Sequence, residues 1–228
     1  PSGPVQGLEK RGVLQFRGIP YARAERFRAP QRVEPWAEVR DATEFGLTAP
    51  QNAGFTEALV GAQDRPSGED CLVLNVFTPA PDERARPVMV WIHGGAFMSG
   101  AGSVPWYDGT NLALRGDVVV VTINYRLGAL GFLHLSHLDP AFAGSGANGI
   151  RDQVMALEWV RDNIDAFGGD PGRVTIFGES AGGMSVGTLL GTPAATGLFH
   201  GAIAQSGAAA HSHTPETAEW VTGRMLST

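Results

Sequence analysis

Gly178-Glu179-Ser180-Ala181-Gly182 is the stretch that decides the fold. Before it stands a β-branched run, Arg173-Val174-Thr175-Ile176-Phe177, which reads as a short buried strand. After it, Gly183-Met184-Ser185-Val186-Gly187-Thr188-Leu189-Leu190 reads as a closely packed helix. Strand, G-x-S-x-G and helix in succession are the setting in which this motif acts as a nucleophile elbow. The glycines have a physical reason: the serine occupies a strained turn, and side chains two positions either side would meet neighbouring backbone. A helix start behind Ser180 brings partial positive charge and free N–H groups to the place where an oxyanion would form. With 31 glycines in 228 residues the bare motif arises easily by chance. The flanking strand and helix make catalysis the better reading.

Outward from this stretch, apolar runs alternate with amphipathic ones. Val13 to Ile19 and Leu72 to Phe77 predict early strands. Val88 to Ile92 and Val118 to Ile123 are continuous apolar runs, the pattern of strands buried on both faces. The Pro-rich segment from Pro79 to Pro87 reads as a hairpin or surface loop, and Asp108 to Arg115 as a short helix capped by Asp108. Asp152 to Phe167 predicts the best helix, with Val154, Leu157, Trp159, Val160, Ile164 and Phe167 on its apolar face. Arg151, Glu158, Arg161 and Asp162 lie mostly opposite, and Gly168-Gly169 stops the helix. Gly201 to Gln205 reads as a further strand and Glu216 to Leu226 as a final helix. Such alternation predicts an α/β fold with a mostly parallel sheet covered on both faces. The elbow then falls at a strand's carboxyl end, where open α/β sheets bind ligands.

Composition narrows the function classes. A hydrophobic content of 43% with 18% charged residues is globular, and no apolar run approaches the length of a membrane span. Net charge is −6, and Lys10 with sixteen arginines supplies all 17 basic residues without forming a basic stripe. Nucleic acid is therefore not an expected partner, and a neutral or mildly polar small molecule is. Cys71 is the only cysteine, which excludes an internal disulfide and any multi-cysteine metal site. The start, Pro1-Ser2-Gly3-Pro4, shows neither Met nor a signal-peptide pattern and reads as a trimmed N-terminus. Localisation stays open, with the cytoplasm slightly favoured.

A second motif, Trp91-Ile92-His93-Gly94-Gly95-Ala96-Phe97, directly follows a predicted strand. Glycines there let main-chain N–H groups face a cavity, which suits an oxyanion hole. Alone it would be an ordinary glycine turn; coupled to the serine elbow it becomes far more specific. Gly100-Ala101-Gly102 lacks the third glycine, helix and ribose-binding acid of a dinucleotide site.

Several segments together resemble the N-terminal half of the type-B carboxylesterases, the cholinesterase and bacterial para-nitrobenzyl esterase group of the α/β-hydrolases. They are Phe16 to Ala22, Glu69 to Val76, His93 to Gly100, Asn124-Tyr125-Arg126, Gly149 to Gln153, Asn163 to Val174, Gly178 to Gly183, and Gln205-Ser206-Gly207. They stand in family order and span almost the whole chain. The resemblance implies an α/β-hydrolase fold, here the N-terminal portion of its sheet with flanking helices and a small N-terminal antiparallel sheet. It implies one domain over residues 1–228, incomplete on its C-terminal side. Ser180 matches the acyl-accepting serine, and the N–H groups of Gly95, Ala96 and Ala181 match a three-donor oxyanion hole. Glu179 resembles a buried glutamate that tunes the site, and Ser206 a buried serine that helps hold the triad acid. Each has a plain reading too, as an exposed carboxylate and a strand-end hydroxyl. His93 reads as structural, because the family's catalytic histidine comes much later.

Two departures qualify the resemblance. Where relatives often place a cysteine before Pro-Gln, this chain has Ala49 before Pro50-Gln51, so Cys71 has no partner. That favours the bacterial, disulfide-free branch. The family order is also serine, acid, histidine, yet after Ser180 the only acids are Glu216 and Glu219, with no histidine beyond them. His200, His211 and His213 come too early, so the acid and base are expected from a missing C-terminal half. The expected reaction is two-step acyl transfer on a small carboxylic ester, without metal or cofactor. This chain alone is expected to be inactive, and to pair with a C-terminal fragment or self-associate across an exposed sheet edge. The rival from another class is a non-catalytic adhesion or binding module; a lipase or amidase differs only in substrate.

Overall fold

Strand-forming runs with β-branched interiors assemble one central sheet in the computed structural model, which describes residues 2–52, 65–209 and 212–227. The strands are β1 (Val5–Gln6), β2 (Leu8–Lys10), β3 (Val13–Pro20), β4 (Ala22–Arg23), β5 (Gln31–Arg32), β6 (Arg40–Asp41), β7 (Val73–Thr78), β8 (Arg86–Ile92), β9 (Val119–Ile123), β10 (Gly169–Glu179) and β11 (Gly201–Gln205). The α-helices are α1 (Thr110–Gly116), α2 (Gly128–Phe132), α3 (Asn148–Asn163), α4 (Ala181–Leu190) and α5 (Pro215–Leu226). Seven strands form the main sheet in the order β11-β10-β8-β9-β7-β3-β2. The four from β11 to β9 run parallel, while β7, β3 and β2 join antiparallel. A small separate antiparallel pair joins β4 to β5, and β1 pairs with β6 in parallel.

The pleat divides the apolar residues between two faces. Val88, Val90 and Ile92 of β8 and Val119, Val121 and Ile123 of β9 enter a large core with Val154, Leu157, Val160 and Ile164 of the long helical segment and Val186 and Leu189 of α4. On the opposite face Phe77 and Val120 meet Ala113 of α1. Strand β9 is buried throughout, but β8 alternates buried and half-buried residues, so its apolar run is not enclosed on both faces. Trp91, on the less covered side, packs against Tyr107 and Phe177 with ring centroids 4.9 Å away in each case. The segment from Pro79 is a loop and not a hairpin turn, because β9 lies between β7 and β8.

Helix α3 begins at Asn148, four residues before the start read from its apolar face, and passes at Ile164–Phe167 into a 3₁₀ turn ended by Gly168 at φ 79°. Asp152 is held inside the helix by a buried ion pair. Asp152 accepts from Arg126 Nη2 at 2.7 Å, Nε at 2.8 Å and the backbone amide at 3.1 Å, and both side chains are buried. Asp152 is thus an interior anchor of the helix and not its first residue. At α1, Asp108 Oδ1 accepts from Thr110 N at 2.9 Å one residue ahead of the cap position, which Gly109 occupies. Among the described residues no helix is long and apolar enough to cross a membrane.

Candidate active site

Parallel pairing of β8 with β10 sets Ile92 opposite Gly178, so the loops leaving both strands emerge side by side. Strand β10 ends at Glu179, and Ser180 turns the chain at φ 56° and ψ −122° before α4 begins. Its amide donates to Gln205 O at 2.9 Å and its carbonyl accepts from Met184 N at 2.9 Å, fixing the turn from both sides. A side chain at Gly178 would place Cβ 2.6 Å from Ile92 O, and one at Gly182 would strike the same carbonyl. These two glycines are therefore required by the closeness of β8 to the first turn of α4.

The glycine loop lies directly on the elbow. A Cβ at Gly94 would stand 2.7 Å from Glu179 O and 3.3 Å from Ser180 Cβ. Gly95, Ala96 and Phe97 then take positive φ in succession, at 107°, 54° and 59°. Gly95 O accepts the amides of Met98 and Ser99 at 2.9 and 3.0 Å. Among the described residues no hydrogen bond engages the amides of Gly95, Ala96 or Ala181. As the first residue of α4, Ala181 has no carbonyl partner within the helix. All three amides thus stand outside the sheet's ladder pairing, beside a serine held in a turn.

Side chains behind the loop hold it in place. Gln51 donates to Gly100 O at 3.0 Å and accepts from Gly100 N at 2.7 Å. Asn124 accepts from Gly102 N at 2.8 Å, and Tyr125 donates its hydroxyl to His93 O at 2.8 Å. His93 is buried, stacked on Tyr125 with ring centroids 4.4 Å apart, and its Nδ1 lies 2.8 Å from Gly94 O. Burial pulls its pKa down to about 4, outweighing the hydrogen bond to Gly94. A neutral, enclosed imidazole is the structural histidine expected there. Gln51 was visible in the sequence only through the Pro50-Gln51 pair; its hold on Gly100 is a contact between distant residues.

Ser180, Gly95 and Ala96 share an open cavity of about 1330 Å³ with Gly94, Glu179, Trp91, Trp106 and Tyr107. Ala181 is buried just behind the serine. In this chain Glu179 and Ser206 are exposed, in keeping with the plain reading of each. Ser206 follows β11, the edge strand of the sheet, whose residues from Ala202 to Gln205 are themselves exposed. Glu179 projects beside Gly94 at the cavity wall without cover. No histidine among the described residues lines this cavity. His200 accepts from Val174 N at 3.2 Å at the start of β11, the opposite end from the elbow. His213 is exposed, and His211 lies outside the described residues. Cys71 is free and buried, its thiol pushed up to about 12 by burial, in the same core cluster as Ala49.

The pattern of the carboxylesterase family matches residues 1–227. The chain belongs to the carboxylesterase family. It is 53% identical over 210 residues to the para-nitrobenzyl esterase of Bacillus subtilis (strain 168), covering 90% of this chain and 42% of that protein. It is 44% identical over 213 residues to a phenmedipham hydrolase of Pseudarthrobacter oxydans, covering 90% of this chain and 41% of that protein. A solved thermophilic para-nitrobenzyl esterase superimposes with a TM-score of 0.94 at 50% identity, over 99% of this chain and 47% of that one. The Geobacillus stearothermophilus carboxylesterase Est55 at pH 6.2 gives 0.91 at 50% identity, over 98% and 46%. This carboxylesterase-family chain has the α/β-hydrolase fold and spans less than half the length of these relatives.

Proposed function

We propose that this chain carries the nucleophile and oxyanion hole of a serine carboxylesterase. The observation that carries the reading is the set of unengaged amides at Gly95, Ala96 and Ala181 around a serine at φ 56°. Ser180 Oγ attacks the ester carbonyl, its proton passing to a histidine supplied by the rest of a longer protein. The carbonyl oxygen takes up negative charge and hydrogen bonds from the three amides. The alcohol leaves with a proton, and water then releases the acid from Ser180. Loss of one such donor lowers turnover by about 10²–10³.

Substrate class follows from the cavity wall. Trp91, Trp106 and Tyr107 offer aromatic faces to an apolar acyl or alcohol group, in keeping with a relative named for para-nitrobenzyl esters. Absence of a histidine from the cavity among the described residues supports an inactive isolated chain. The exposed β11 edge suits pairing with the remainder of the protein or with a second copy; light scattering of the isolated chain at high concentration should show association, and a clean monomer removes that reading.

The decisive experiment measures hydrolysis of short para-nitrophenyl esters by the full-length protein and its Ser180→Ala variant. Activity abolished by the substitution, with folding retained, is the expected result. Hydrolysis that survives it removes Ser180 as the nucleophile, and none in the parent protein leaves the binding-module reading in its place. Rapid stoichiometric labelling of Ser180 by a fluorophosphonate in the isolated chain would show that no outside base is needed.

A further inference from the structure

We propose that His134, His137 and Glu219 form a surface site for a first-row divalent transition-metal cation such as Zn²⁺, which ties α5 to the loop after α2. One ligand atom from each side chain lies within 4.8 Å of the other two. The histidine rings stack with centroids 5.5 Å apart and planes 21° from parallel. An independent contact brings the same elements together: Thr222, buried and three residues along α5 from Glu219, donates its hydroxyl to His134 O at 2.7 Å. Residues three apart share a helix face, so the bond that seats Thr222 also delivers the carboxylate. Between the histidines, Leu135 N donates to Ser145 Oγ at 2.8 Å, which fixes the loop. Asp139, further along the same loop, is not part of this cluster, and its Oδ1 accepts from Ala141 N at 2.7 Å.

Two imidazoles and one carboxylate suit Zn²⁺ or its neighbours better than Ca²⁺ or Mg²⁺, which require oxygen ligands. Metal–ligand distances of about 2.0–2.2 Å require the three atoms to converge on one point. His137 and Glu219 are exposed and His134 is half-exposed, which leaves the side chains room to change rotamer. None of the three lines the serine cavity, so the site is separate from ester hydrolysis and serves to hold α5.

Calorimetric titration of the chelator-stripped intact protein with Zn²⁺ tests the site. One saturable equivalent is expected, with a rise in thermal midpoint. Affinity should fall in His137→Ala and in Glu219→Gln by at least the roughly 10- to 100-fold that loss of an outer-shell partner brings. It should persist in His200→Ala and His213→Ala, and in excess Ca²⁺. Both ligand positions are exposed, so their variants fold, and para-nitrophenyl ester hydrolysis should be unchanged. Absence of saturable uptake, or an affinity in either ligand variant unchanged from the parent protein, overturns the proposal.

Discussion

The elbow and the β11 edge lie at the ends of neighbouring strands, yet they differ in what determines them. At the elbow the determining contacts are main chain against main chain: Ile92 O against Gly178 and Gly182, and Glu179 O against Gly94. At the edge, Ile203 is 45% exposed and Ser206 meets solvent. A site element built from backbone is complete as soon as its strands pair. One that relies on a side chain being enclosed waits for whatever covers it. This separates Ser180, Gly95, Ala96 and Ala181 from Glu179 and Ser206.

The strongest way to break the comparison is Gly182→Val. Its Cβ would occupy the Ile92 carbonyl, so a loss of about 4 kcal/mol or more is expected in urea unfolding. A loss under about 1 kcal/mol would show that the elbow is loose. Next comes acid. His93 is neutral when folded, with a pKa near 4 against an ordinary value near 6.5. Protons therefore favour the unfolded chain: this contribution is complete above pH 6.5 and declines by roughly 3 kcal/mol as pH falls to 4. Unfolding midpoints at pH 7, 5.5 and 4 should show the decline, His93→Gln should flatten it, and NMR should find His93 neutral at pH 5.5. Gln51→Ala removes both bonds to Gly100 and should lower stability by about 1–3 kcal/mol, together with turnover in the full-length protein. A stability loss without any change in turnover would detach this brace from the reaction. The smallest effects belong to the edge: Ser206→Ala and Glu179→Gln should each shift the stability of this chain by no more than about 0.5 kcal/mol. Larger losses would mean that the two side chains are covered after all.

Much of the fold was legible because its signals are local. The β-branched run of β10, the glycines of the elbow and the small residues of α4 each state their conformation within a few positions. The start of α3 was not legible. The apolar pattern begins only at Asp152, but Asn148 is buried, and Gly149 sits where a Cβ would meet Phe132 and Arg126 O. That need is set by a segment some twenty residues earlier. The half-buried side of β8 was hidden for a similar reason, since an apolar run does not say which face a helix will cover. The exposure of Glu179 and Ser206 was masked by the resemblance, which describes relatives more than twice as long.

Ser180 occupies backbone angles in which glycine would rest more easily, a displacement worth about 1–3 kcal/mol. Ser180→Gly is therefore expected to strengthen the molecule while removing the proposed nucleophile. Selection for sturdiness and selection for turnover pull in opposite directions at this one position. A lineage released from the need to react has a downhill step waiting there.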